Sequence, residues 1–153
     1  MNDNKKTGRY ERIYEQLQQL TAKSGDIYSC MATIAAVLHH KMDYFFWTGF
    51  YMLVDGELTV RNYQGPVACQ VLEKNKGVCW AAVNKGKTVI VDDVHLFPEH
   101  IACDSRSNSE IVVPLRNADA EIVGVLDVDS SEKASFNEID KEWLEKIVAL
   151  VFA

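Results

Sequence analysis

The chain has few chain-breaking residues and no long apolar run. Three prolines and eight glycines are spread over 153 residues. No Pro/Gly/Ser-rich stretch, internal repeat or low-complexity segment divides them, which predicts one domain over residues 1–153. The last apolar run, Ile147 to Ala153, is seven residues long, far short of the ~20 that span a bilayer. Met1 to Gln19 is rich in Asn, Lys, Arg and Glu and lacks the apolar centre of a signal peptide. These absences predict a soluble, cytoplasmic protein. Positive charge is also in deficit. Sixteen Lys and Arg against 22 Asp and Glu leave a net charge of −6, a field that disfavours nucleic acid and anionic membrane surfaces as partners. What the chain has is apolar content: at 48% it fills a core without help from disulfides or metal.

Cysteine is sparse, and no Cys-x-x-Cys pair occurs. Structural disulfides are rare in the cytoplasm, so Cys30, Cys69, Cys79 and Cys103 read as thiols that can react. A zinc site drawing on His95, His100 and Cys103 is opposed by the spacing. The ten-position step from Cys69 to Cys79 matches no common zinc knuckle, so no metal is expected.

Apolar residues at Ile13, Leu17 and Leu20 predict a helix over Tyr10 to Lys23, and Ile27, Cys30, Ile34 and Val37 predict a second to about His40. Aromatic-rich Tyr44 to Leu53, then Asp55-Gly56, then Leu58 to Gln64 predict a β-hairpin. A short helix fits Gly77 to Lys85 with Gly86 as its stop, and a strand fits Thr88 to Val91. The irregular stretch from Asp92 to Asn108 is too long for a bare connector and predicts a functional loop. Ser109 to Leu115 and Glu121 to Asp129 predict a second hairpin. Ser135-x-x-Glu138 predicts a capping box for a last helix that turns Ile139, Trp143, Ile147 and Leu150 inward. The fold class is therefore α/β in the α+β sense, a mostly antiparallel sheet with helices packed on it.

Strand alternation puts Phe45, Trp47, Gly49, Tyr51 and Leu53 on one face, with Gly49 a gap between aromatics that suits a pocket floor. The alternative is that Trp47 and Tyr51 are simply core. In the last strand Val123, Val125, Asp127 and Asp129 share a face, and Glu110 in the preceding strand joins them across the hairpin. Three carboxyls at one end of a sheet call for a counterpart, and a ligand ammonium would serve. Against this, Asp129-Ser130-Ser131 also fits an exposed turn and Asp127 a salt bridge to a surface Lys. Cys30 falls on an apolar helix face, which reads as a buried inert thiol. Around Cys103, Arg106, His100 and loop amides favour a thiolate and Asp104 opposes it.

With these residues noted, the chain resembles the free methionine-(R)-sulfoxide reductases of the GAF-domain superfamily. The likeness runs from about Tyr44 to the C-terminus. It is carried by Phe46-Trp47-Thr48-Gly49-Phe50-Tyr51, Gln64-Gly65-Pro66-Val67-Ala68-Cys69, Gly77-Val78-Cys79, Ala102-Cys103-Asp104-Ser105, Ser109-Glu110-Ile111-Val112-Val113-Pro114 and Gly124-Val125-Leu126-Asp127-Val128-Asp129-Ser130. The resemblance implies a GAF fold with a central six-stranded sheet, helices on one face and a loop-covered cavity on the other. It also implies a homodimer built partly from helices in residues 1–40. It assigns Cys103 as nucleophile, Cys69 as resolving thiol, Cys79 as auxiliary, and Trp47, Tyr51, Glu110, Asp127 and Asp129 as substrate contacts. Free methionine (R)-sulfoxide is the implied substrate and thioredoxin or a similar dithiol the reductant, with no cofactor.

The chemistry such a site requires is a thiolate attacking a sulfoxide sulfur whose oxygen is protonated by a carboxylic acid. The competing function classes are a GAF module that senses a small molecule without catalysis, and a cysteine-based redox sensor or peroxidase. A chain of this length leaves little room for an output domain, and a redox sensor has no need of the carboxyls.

Overall fold

The computed structural model describes residues 1–100 and 103–153. Helix α1 covers Asp3–Thr21 and α2 Ile27–Lys41. Strands β1 (Trp47–Val54) and β2 (Glu57–Gln64) are joined by Asp55-Gly56, both at positive φ, which gives the two-residue hairpin turn. Helix α3 (Gly77–Lys85) ends at Gly86, whose φ of 67° is the left-handed C-terminal cap. Strand β3 (Val89–Val91), a 3₁₀ turn at Val94–Leu96, β4 (Ser109–Arg116), β5 (Ile122–Ser130) and α4 (Glu138–Val148) follow.

All strand pairs are antiparallel, in the order β2-β1-β5-β4-β3. The sheet thus has five strands among the described residues, not six. Its β2 edge shows why. The chain returning along β2 makes a bridge between Thr59 and Val71 and no strand beyond it, because residues 65–69 are drawn away towards the other face by contacts described below.

Helices α1, α2 and α4 cover one face through Tyr10, Leu17, Met31, Ile34, Leu38, Leu144 and Ile147. These pack on Phe50, Met52, Ile111, Val113, Leu126 and Val128 from the sheet. Each fully buried large apolar chain contributes about 1.5–3 kcal/mol. The opposite face carries Trp47, Tyr51, Val112 and Val125 under α3 and Val94, so one helix shares the cavity side with the loops. Phe45, expected beside Trp47, packs instead with the helical face because it precedes the strand. Val123 also joins that face, where the register shifts at Leu115/Arg116.

Two terminal helices differ from expectation. Helix α1 begins seven positions early, capped by Asn2, whose side chain accepts from the Lys5 amide at 2.8 Å. Its first turns are held by Lys6, which is 5% exposed and pairs with fully buried Asp140 at 2.7 Å. Asp140 also accepts from the Tyr10 and Tyr44 hydroxyls. In α4 the capping box is Asn137 with Asp140, two positions beyond Ser135 and Glu138. Ser135 is occupied elsewhere, bonding the Ser130 hydroxyl at 2.7 Å. The buried stripe of α4 is accordingly Asp140, Leu144, Ile147 and Val148. Ile139, Trp143 and Leu150 are half-buried at its edge, Trp143 stacking on Tyr10.

Candidate active site

Antiparallel register builds the site in rows across the sheet. Trp47 stands opposite Asp129, and Asp129 opposite Glu110. In the next row Gly49 stands opposite Asp127, and Asp127 opposite Val112. The three carboxyls therefore meet, as alternation predicts. Glu110 and Asp127 are each 6% exposed and Asp129 is half-buried. Asp129 lies within β5 and not in a turn, and Asp127 forms no salt bridge among the described residues. One Asp127 oxygen, Oδ1, is buried without a hydrogen-bond partner.

Crowding and burial set the protonation of this cluster. Glu110 is held well above the usual carboxyl range by burial, then by the charges of Asp127 and Asp129. Asp129 is likewise raised by burial and then by Asp127, and Asp127 is raised by burial. Cys79, in the first turn of α3, is 4% exposed and is a free thiol. Burial, then the three carboxyls, push it well above the ordinary thiol value, which keeps it protonated. The Cys79 sulfur and one oxygen each of Glu110 and Asp127 lie within 4.8 Å of one another. His95 and His100, weighed above as ligands, are not in that group.

The gap at Gly49 is not an open floor. A Cβ there would lie 2.3 Å from Tyr63 Cβ and 2.6 Å from the Trp47 ring, so the missing side chain is what lets the indole fold flat over the strand. Trp47 stacks between Tyr51 and Tyr63, with centroids at 5.7 and 5.2 Å. Its Nε1 donates to the Pro66 carbonyl at 3.0 Å, and the Tyr51 hydroxyl donates to the Cys69 carbonyl at 3.4 Å. The two aromatics thus line the cavity and also draw residues 66–69 to its mouth. Tyr63 was not singled out from sequence: counting the hairpin register from Asp55-Gly56 brings Asn62 to Gly49, and the register shift between Gly49 and Tyr51 puts Tyr63 there instead.

At that mouth Cys69 is joined to Cys103 by a disulfide, with Cα atoms 5.6 Å apart and the two residues 34 positions apart in the chain. Ala102, part of the motif around Cys103, lies outside the described residues. Asn108 ties the loop down: its amide donates to the Ser130 carbonyl, its side chain to the Ser131 carbonyl at 2.6 Å, and its carbonyl accepts from Val94. Arg106 does not stand free beside Cys103. It donates twice to Asp104, at 2.7 and 3.0 Å, and lies over the Phe46 ring. These bonds hold the Asp104 carboxyl down at about 2. The cavity is lined by Trp47, Tyr51, Cys79, Cys103, Glu110, Asp127 and Asp129, with Lys76 and His100 at its rim. Cys30 lies on the other side of the sheet, buried among α2 contacts.

The GAF domain family model matches residues 26–151. GAF domain-containing protein A of Dictyostelium discoideum is 42% identical over 147 residues, covering 95% of this chain and 92% of that protein. Free methionine-R-sulfoxide reductase of Escherichia coli (strain K12) is 37% identical over 144 residues, covering 94% and 87%. The structure of free methionine-R-sulfoxide reductase from Neisseria meningitidis in complex with its substrate superposes with a TM-score of 0.91 at 38% identity, over 99% of this chain and 89% of that one. A cavity carrying a cysteine pair and buried carboxyls, on a sheet that superposes this closely, makes the chain a member of the GAF-domain family and, within it, of the free methionine-R-sulfoxide reductases.

Proposed function

We propose that this chain reduces free L-methionine (R)-S-oxide to L-methionine, with Cys103 as nucleophile and Cys69 as resolving thiol. The observation that carries this reading is one cavity bringing together the Cys69/Cys103 pair and three crowded carboxyls. The Cys103 thiolate attacks the sulfoxide sulfur while a protonated member of the Glu110/Asp127/Asp129 cluster protonates the oxygen. The oxygen passes to Cys103, which is oxidised to a sulfenic acid as methionine is released. The Cys69 thiol then attacks Cys103, the Cys69–Cys103 disulfide forms, and the oxygen leaves as water. A dithiol protein of the thioredoxin class reduces the disulfide to two thiols and is itself oxidised. Cys79, buried and protonated, serves the site as a neutral neighbour of the carboxyls. No cofactor takes part.

Substrate is reduced by the dithiol form, because Cys103 held in the disulfide with Cys69 has no thiolate with which to attack. Ionised carboxyls hold the substrate ammonium, and a peptide-bound methionine would leave them buried and unpaired. The sulfur end meets Trp47 and Tyr51, whose rings give contacts of ~0.3–1.5 kcal/mol. Among the described residues no helix is long and apolar enough to cross a membrane. The reading includes action in the cytoplasm as one unit over residues 1–153. Association as a homodimer through helices within residues 1–40 completes the reading.

The test is amino-acid analysis of methionine formed from separated R and S free sulfoxides, and from an N-acylated peptide sulfoxide, with a dithiol reductant. Only the free R epimer should be consumed. Equal rates on both epimers refute the proposal.

A further inference from the structure

The two halves of the Cys69–Cys103 disulfide differ in access. Cys103 is exposed, whereas Cys69 is half-buried. Cys69 ends a segment held from within, the Trp47 indole bonding the Pro66 carbonyl at 3.0 Å and the Tyr51 hydroxyl the Cys69 carbonyl at 3.4 Å. In thiol–disulfide exchange the incoming thiolate must reach one sulfur, so access decides which half is attacked. Charge agrees with access. Asp104, the carboxylate next to Cys103, is paired with Arg106 at 2.7 Å, which offsets its repulsion of an approaching thiolate.

A second, independent feature lies on the two segments that the disulfide joins. Val67, in Val67-Ala68-Cys69, is 83% exposed, and Leu96, in the stretch that leads to Cys103, is 80% exposed. No other large apolar side chain among the described residues exceeds 48%. Val67 shares the cavity mouth with Cys103, and neither Val67 nor Leu96 belongs to a core cluster. Apolar chains held in water beside a reactive bond mark a surface that another protein covers. A partner whose own thiol sits in an apolar surface would bury them as the sulfurs meet.

We infer that a dithiol protein of the thioredoxin class docks on Val67 and Leu96 and attacks the sulfur of Cys103, with Cys69 as leaving group. The inference rests on the proposed reductase cycle and names the surface and the sulfur at which that cycle is reset. A thiolate of the partner bonds the Cys103 sulfur, the Cys69–Cys103 bond breaks, and its electron pair leaves on Cys69, which takes up a proton. The partner's second thiol, on losing its proton, attacks the partner's own sulfur in the mixed disulfide. The partner is left oxidised as a disulfide, and Cys103 leaves as the thiolate that meets the next sulfoxide.

The experiment oxidises the protein with free methionine (R)-sulfoxide, removes the sulfoxide and follows disulfide reduction alone. A thioredoxin whose second active-site cysteine is replaced by serine is added, and the mixture is quenched with iodoacetamide and peptide-mapped. Cys103 should carry the mixed disulfide and Cys69 the alkyl group. The reverse labelling overturns the inference. Rates with intact thioredoxin and with dithiothreitol separate docking from chemistry. Val67→Asp and Leu96→Asp should each slow thioredoxin about fivefold or more and dithiothreitol less than about twofold, while Val67→Ile keeps the wild-type rate. Unchanged thioredoxin rates, or equal slowing with both reductants, overturn the docking surface, as does a disulfide that dithiothreitol reduces and thioredoxin does not. None of these results touches the reductase reading while dithiothreitol still supports methionine formation from the free R-sulfoxide. That reading, and the inference with it, falls if the protein oxidised by substrate contains no Cys69–Cys103 disulfide.

Discussion

Replacing Glu110 by Gln perturbs the charge of the carboxyl cluster while keeping its shape. Glu110 is 6% exposed and stands directly opposite Asp129. Its carboxyl is raised by burial first and by Asp127 and Asp129 second. In the unfolded chain a glutamate titrates near ~4.3. A raised carboxyl stabilises the fold while it is protonated, fully so below the unfolded value, and that contribution is lost as pH climbs through the folded value. Between the two values each pH unit removes about 1.4 kcal/mol. Glutamine mimics the protonated form at every pH. Glu110→Gln and wild type should therefore have matching stability near pH ~4.5 and diverge above it, the variant becoming the more stable until the folded value is passed. For a chain of this size each kcal/mol moves Tm by about 2–4 °C, so thermal unfolding of the reduced proteins at a series of pH values resolves the effect. Because the three carboxyls titrate as one site, the difference belongs to the cluster and not to Glu110 alone. Activity should move the other way, with kcat/KM falling on the order of 10²-fold as proton donation and ammonium binding are lost. A Tm difference that does not change with pH, or one that grows in favour of wild type as pH rises, would refute the burial argument. Wild-type turnover in the variant across pH ~6–8 would refute the carboxyl mechanism.

Cys103→Ser should abolish turnover. Cys69→Ser should release one methionine per enzyme in a single turnover and then stall with thioredoxin, and peptide mapping that pairs Cys79 with Cys103 in oxidised wild type would reassign the resolving role. Cys30→Ser, altered on the far side of the sheet, should leave turnover nearly intact, and loss of activity in that variant with folding preserved would contradict the site. Gly49→Ala places a methyl 2.3 Å from Tyr63 Cβ and 2.6 Å from the Trp47 ring, so the indole must shift at a cost of about 1–3 kcal/mol. It should weaken its bond to Pro66 and raise KM, and unchanged tryptophan fluorescence and KM would show that the packing is less tight than described.

The acidic cluster was legible because each step to it is local or nearly so. Period-two alternation puts Asp127 and Asp129 on one face and the hairpin brings Glu110 near them, although turn length alone would set Glu110 opposite Val128 and the register shift at Leu115/Arg116 moves it to Asp129. The Asp55-Gly56 turn and the Gly86 stop are equally local, since each needs a backbone conformation that few residues adopt cheaply. Gly49 was read as a gap correctly and as a pocket floor wrongly, because sequence records the missing Cβ but not which neighbour fills the space. The Lys6–Asp140 pair lay beyond reach altogether. Its partners are 134 positions apart, and nothing in the first turn of α1 distinguishes a lysine destined for burial from a solvated one. Periodicity therefore started α1 at Tyr10, where its apolar stripe begins, while the structure starts it at Asp3. The same pairing explains the shift of the α4 cap, since Asp140 accepts from the Asn137 amide at 2.8 Å while it holds Lys6. A buried ion pair costs desolvation that only matched hydrogen bonds offset. Asp140 has them from Tyr10, Tyr44 and the Asn137 amide. Tyr44 in turn precedes Phe46, whose amide donates to the Asp129 carbonyl at 2.7 Å. The packing of α1 against α4 is thereby linked through two residues to the row that carries Trp47, Asp129 and Glu110.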